Sequence, residues 1–151
     1  MVNSRRLFVL FYAVSGAAAL VYEVTWTRLL TLHMGHTVFA VSTVLAAFMG
    51  GLSIGAGLAG RFEVARSRRL PAYAVLELLV ALIAIALPMV LRALAPAIGW
   101  AYADGQAPVR FAFVRATLSL ALLAVPAAAM GATFPIATSW LAQSSADAGV
   151  L

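Results

Sequence analysis

The sequence predicts an all-α, polytopic membrane protein of about four transmembrane helices, and three observations carry that prediction. The chain is 64% hydrophobic and only 10% charged, where a soluble domain carries about a quarter charged residues. Its mean hydropathy is +1.02. Its charges sit at the ends of apolar runs, each near the roughly 20 residues that a helix needs to cross a bilayer.

Each helix is bounded by its own signals. The first runs from about 7 to 30, after Arg5 and Arg6; we read it as a membrane span with a cytoplasmic leader, although Ala17, Ala18 and Ala19 also suit a cleaved signal. Between Arg28 and Arg61 lie 32 uncharged residues, too many for one span, and Gly35 is the natural turn. The second helix is therefore about 38–60. Residues 61–69 hold four arginines and form a loop. The third helix begins at Pro71, a favoured first-turn residue, and ends near Leu94. Residues 97–108 read as a loop with Trp100 and Tyr102 at the membrane interface. The fourth helix spans about 109–127 and is interrupted near Pro126–Pro135, with a short helix at about 135–143. Trp26 and Trp140 read as interface markers.

Arginine placement sets orientation. Arg5, Arg6, Arg61, Arg66, Arg68 and Arg69 fall on one side, and Arg28, Arg92, Arg110 and Arg115 on the other. The positive-inside tendency then puts both termini in the cytoplasm. All ten basic residues are arginine, and their terminal positions make them a topology signal rather than a nucleic-acid stripe. The chain has no cysteine, which excludes disulfides, thiolate metal sites and iron–sulfur clusters.

Depth follows from a 1.5 Å rise per residue. Glu23 stands about 24 Å above the inner edge, at a level similar to Arg115 and close to Arg28 and Arg92. An intramembrane charge is a functional candidate by default; here so many arginines surround one carboxylate that we read Glu23, Arg28, Arg92 and Arg115 as structural ion pairs pinning the first helix to the fourth. Glu77 lies about 9 Å above the inner edge, the level at which PAAAMGATFP interrupts the fourth helix. Broken helices expose carbonyls that line transporter sites, so Glu77, Met130, Gly131 and Thr133 are ligand candidates. The competing expectation is that Glu77 snorkels to Arg61 or Arg69. Ala47, Gly51, Gly55 and Ala59 recur every fourth residue and make one smooth face for close helix packing, against a neighbour in this chain or in another subunit. His33 and His36 could share a metal at their spacing, but interface histidines at a turn explain them as well. No catalytic constellation, phosphate loop, metal set or cofactor motif is present, and no cofactor is expected.

The pieces SGAAALVYEVTWTRLL, GHTVFAVSTVLAAFMGGLSIGAGLAGR, YAVLELLVAL and MGATFP, in that order, resemble the N-terminal membrane region of the bacterial proteins described as fused major-facilitator/spermidine synthase. They cover most of residues 15–136. In that family the membrane helices precede a cytoplasmic Rossmann-type aminopropyltransferase domain, of which this sequence contains neither the glycine-rich loop nor the acidic substrate residues. The facilitator loop signature is partial: Leu58, Ala59 and Arg61 fit, while Ala56 and Gly60 replace its glycine and aspartate. The resemblance implies a membrane-anchoring or assembly domain of a spermidine-synthase-like protein in the bacterial inner membrane, with recognition of a polyamine-type cation. The alternatives are an accessory subunit of a larger membrane complex, docking through the small-residue face of the second helix, and a transporter fragment. Expected partners are the lipid bilayer, other membrane subunits or a second copy, and a polyamine, but no nucleic acid.

Overall fold

The computed structural model describes residues 2–35, 38–62 and 64–149, with side chains placed for most of them. Four α-helices follow one another: α1 (Val2–Met34), α2 (Val38–Arg61), α3 (Arg69–Tyr102) and α4 (Pro108–Gly149). Each contains a segment long and apolar enough to cross a membrane. There is no strand among the described residues.

The exterior confirms the class. Val24, Ile85 and Met89 are 70% exposed, while Arg115, Ser119 and Thr133 are buried. An apolar outside around polar interior groups is the reverse of a water-soluble fold, and it suits lipid. The chain is a multi-pass membrane protein.

α4 is the centre. It packs most extensively against α2 and next against α3, and α2 and α3 scarcely touch each other. On α3 the buried residues Tyr73, Val80 and Leu87 recur every seventh position, with Leu91 and Ile98 beside them. That spacing keeps a narrow seam facing one neighbour. Trp26 and Leu30 of α1 complete the main core with Val44 and Phe48 of α2 and Leu123 and Ala127 of α4. A second cluster at the opposite end joins Phe8, Tyr73, Ile136 and Ala137. Phe8 lies 4.2 Å from Trp140 and 5.5 Å from Tyr73 between ring centres.

Four expectations change. The fourth helix is not interrupted: α4 runs through Pro126 and Pro135 without a break. Proline forfeits one backbone hydrogen bond and crowds the preceding turn, but Pro126 is fully buried against neighbouring helices and an alanine-rich stretch follows it, so helix remains the cheapest state for the backbone. The separate helix at 135–143 is accordingly the end of α4. Pro88 and Pro96 are absorbed in the same way, and α3 continues to Tyr102, consuming half of the expected loop. Trp26 is 2% exposed, stacked on Tyr22 at 5.4 Å, and is a core residue rather than an interface marker.

The ends are tied by arginine. Arg69 Nε donates to the Val64 carbonyl at 3.0 Å and its Nη1 to the Ser139 carbonyl at 3.1 Å, joining the α2–α3 connection to α4. At the other end Arg110 Nη2 donates to the Trp100 carbonyl at 2.8 Å, satisfying a carbonyl left over at the close of α3. Ala103, in the left-handed region at φ 44°, and Gly105 at φ 82° make the turn between α3 and α4.

Candidate functional site

The helices line a partly open cavity of about 200 Å³ at the level of Glu77. α1 supplies Tyr12, Ser15, Gly16, Ala19 and Tyr22, which recur at three- and four-residue steps and so share one helix face. Leu52 comes from α2, Glu77 and Val80 from α3, and Met130, Thr133 and Phe134 from α4. All four helices therefore meet here. The volume is below the roughly 300–1,000 Å³ of drug-sized pockets, so the space suits a small molecule or one end of a slender one.

The chemistry centres on the carboxylate. The Ser15 hydroxyl donates to Glu77 Oε1, linking α1 to α3 across the cavity. Glu77 forms no ion pair among the described residues; the neighbouring Arg69 is spent on two backbone carbonyls. The expected snorkelling to Arg61 or Arg69 is therefore replaced by a hydroxyl contact.

Tyr73 stands four residues before Glu77 on the same face of α3. It is 8% exposed, and its hydroxyl lies within interacting range of Ser15 and Glu77. That hydroxyl makes no bond of full hydrogen-bond geometry, yet it stands beside a hydroxyl and a carboxylate with which it can share one. Tyr12 is also close enough to feel the Glu77 charge, and its ring centre is 6.3 Å from that of Tyr73. Thr133 donates to the Met130 carbonyl at 2.6 Å, which leaves its oxygen lone pairs free to accept.

Of the four ligand candidates, Glu77, Met130 and Thr133 line this one cavity. Gly131 does not. A Cβ at Gly131 would run into the Leu52 backbone, so this glycine serves the α2–α4 contact. The small-residue face of α2 finds its neighbour in the same place: a Cβ at Gly51 would fall 2.6 Å from Ala127 Cβ, and one at Gly55 would overlap the Ala128 carbonyl. Ala47 is buried with them, and Ala59 packs at the edge of the Phe8–Tyr73 cluster. This face is covered by α4, which removes it as a docking surface for a foreign subunit.

The clasp around Glu23 does not form. Glu23, Arg28 and Arg92 make no ion pair among the described residues, and Arg28 and Arg92 are exposed. The guanidinium of Arg115 is buried, 5.2 Å from the ring centre of Phe39 and 5.5 Å from that of Phe111. Rise along a helix gives depth but not direction, and α1 turns Tyr22, Trp26 and Leu30 inward at this level. His33 Nδ1 bonds to the Leu29 carbonyl at 2.8 Å, and His36 lies outside the described residues. Among the described residues no group of histidines and carboxylates suits a metal ion.

Sequence reasoning missed Ser15, Tyr12 and Tyr73. The signal was available: Tyr73 and Glu77 are four apart, and Ser15 stands about 12 Å up the first helix by the same depth rule that placed Glu77 at about 9 Å. No family model, curated protein or solved structure matches the chain.

Proposed function

We propose that this chain is the membrane domain of a spermidine-synthase-like protein, anchoring and assembling it while recognising a polyamine-type cation in the Glu77 cavity. The observation that carries the reading is a carboxylate without a basic partner, facing a small cavity walled by tyrosine rings, hydroxyls and a thioether. A half-buried carboxylate at this depth in a membrane bundle favours a compensating positive charge. Aromatic faces and hydroxyl oxygens beside it favour an organic cation over a bare metal ion, which would take several carboxylate or carbonyl oxygens. The resemblance of residues 15–136 to the membrane region of fused synthases supplies the polyamine class.

Titrating the purified protein in micelles with spermidine tests this calorimetrically. Glu77→Gln keeps the shape of the site and removes the charge, so affinity falls at least tenfold, about the worth of a charge-assisted hydrogen bond. Unchanged affinity in that variant would remove the carboxylate from recognition.

The arginine pattern supports a cytoplasmic N-terminus, and the resemblance to bacterial proteins supports a location in the inner membrane. Because the chain has no cysteine, single cysteines report orientation directly. In intact cells Gln106→Cys reacts with an impermeant maleimide and Ser67→Cys is protected; the reverse pattern would invert the topology.

A further inference from the structure

Resting on the cation reading above, we propose that the Glu77 cavity seats one ammonium with an apolar tail. It grips one end of an amine, so a primary alkylamine with no second charge is a full ligand. The cavity's polarity is graded along the helices. At one level stand the carboxylate of Glu77 and the Ser15 hydroxyl that donates to it, with Tyr12 about one turn nearer the N-terminus of α1. The pairs Phe8–Tyr73 and Ser15–Glu77 advance together, so α1 and α3 run the same way. Beyond the carboxylate both helices therefore present apolar wall on the same side: Ala18 and Ala19 on α1, Val80 and Ala81 on α3. Tyr22 follows, about 10 Å along α1 from Ser15.

Charge decides what can lie there. Among the described residues lining the cavity Glu77 is the sole carboxylate, and none is arginine or histidine. One ammonium beside Glu77 is compensated. A second, several methylenes further on, would stand among alanine and valine with no counter-charge, which strongly opposes its entry. Methylenes placed there gain by leaving water. The cavity holds only about 200 Å³ and is partly open, so a diamine keeps its far end out through the open side, and its second charge adds no affinity.

Calorimetric titration of the intact protein in micelles with methylammonium, pentylamine and diaminopentane tests this, with Glu77→Gln as the blank for uptake into detergent. Pentylamine binds at least tenfold more tightly than methylammonium. Diaminopentane gains no more than about twofold over pentylamine, the advantage of two equivalent ends. A larger gain reveals a second anionic contact and overturns the one-ended site while leaving the cation reading intact, as does equal affinity for methylammonium and pentylamine. If none of these amines, nor spermidine, binds above the blank, both readings fall. Ala81→Val narrows the apolar end, so pentylamine weakens about tenfold and methylammonium is unchanged. Equal weakening of both, or of neither, overturns the placement of the tail. Ala18→Val repeats that test from the opposite wall should Ala81→Val lower the unfolding midpoint.

Discussion

Glycine does opposite work at two places in this bundle. At Gly51, Gly55 and Gly131 it lets α2 and α4 meet backbone to backbone, so that no side chain could be added without moving a helix. At Gly16 on α1 nothing lies within 4 Å of where a Cβ would stand, and the missing side chain helps to leave a cavity. The first arrangement draws its stability from dispersion between closely approaching backbones, the main attraction available when lipid is as apolar as the helices. The second keeps α1 at a distance, bridged by Ser15 and Glu77. A seam of small residues and a void of small residues look alike in composition and differ only in what stands opposite.

The same substitution should therefore have opposite consequences in the two regions. Gly55→Leu is the largest expected effect: the side chain meets the Ala128 backbone, which cannot swing aside, and stability falls by about 3 kcal/mol or more. Denaturant unfolding in micelles measures it, and an unshifted midpoint would mean that α2 and α4 do not meet there. Gly16→Leu places its side chain into or beside the cavity. Spermidine binding is lost, while the unfolding midpoint moves by less than about 1 kcal/mol. Retained binding in that variant would show that the cavity is not the ligand's place. The smallest effect belongs to Gly57→Ala, on the open side of α2 with nothing within 4 Å. It stabilises by up to about 1 kcal/mol, the helix-propensity difference between the two residues. A loss there would point to a partner covering that side.

Much of the architecture was legible from composition and periodicity. Four spans, the bounds of α2 and the close-packing stripe at Ala47, Gly51 and Gly55 follow from hydropathy and from residue size. The meeting of Glu77 with Met130 and Thr133 follows from depth alone. What depth cannot supply is the angle around each helix, and there the reading failed. Glu23 was paired with arginines at its own level, yet α1 presents Tyr22 and Trp26 inward, and Arg115 finds the rings of Phe39 and Phe111 instead. The prolines misled for a different reason. Pro126 reads as a breaker by rules suited to water, where a freed carbonyl gains a solvent partner by leaving the helix. Inside an apolar bundle no such partner rewards the break, and α4 stays whole. Tyr73 escaped notice because tyrosine in a membrane chain suggests an interface anchor, whereas the heptad from Tyr73 to Val80 and Leu87 marks it as the last rung of a buried seam.

The central position of α4 also bears on how the protein comes into being. Gly51 and Gly55 are synthesised well before Ala124, Ala128 and Gly131, and at about 5–20 residues per second several seconds separate the two halves of that seam. Until then the small-residue face of α2 lacks its α4 partner, and α3 has only α1 to pack against, through Phe8 and Tyr12 on Tyr73. The first three helices share few contacts with one another, and most of their packing waits for the fourth. Translation order makes the helix inserted after the other three the one that gathers them.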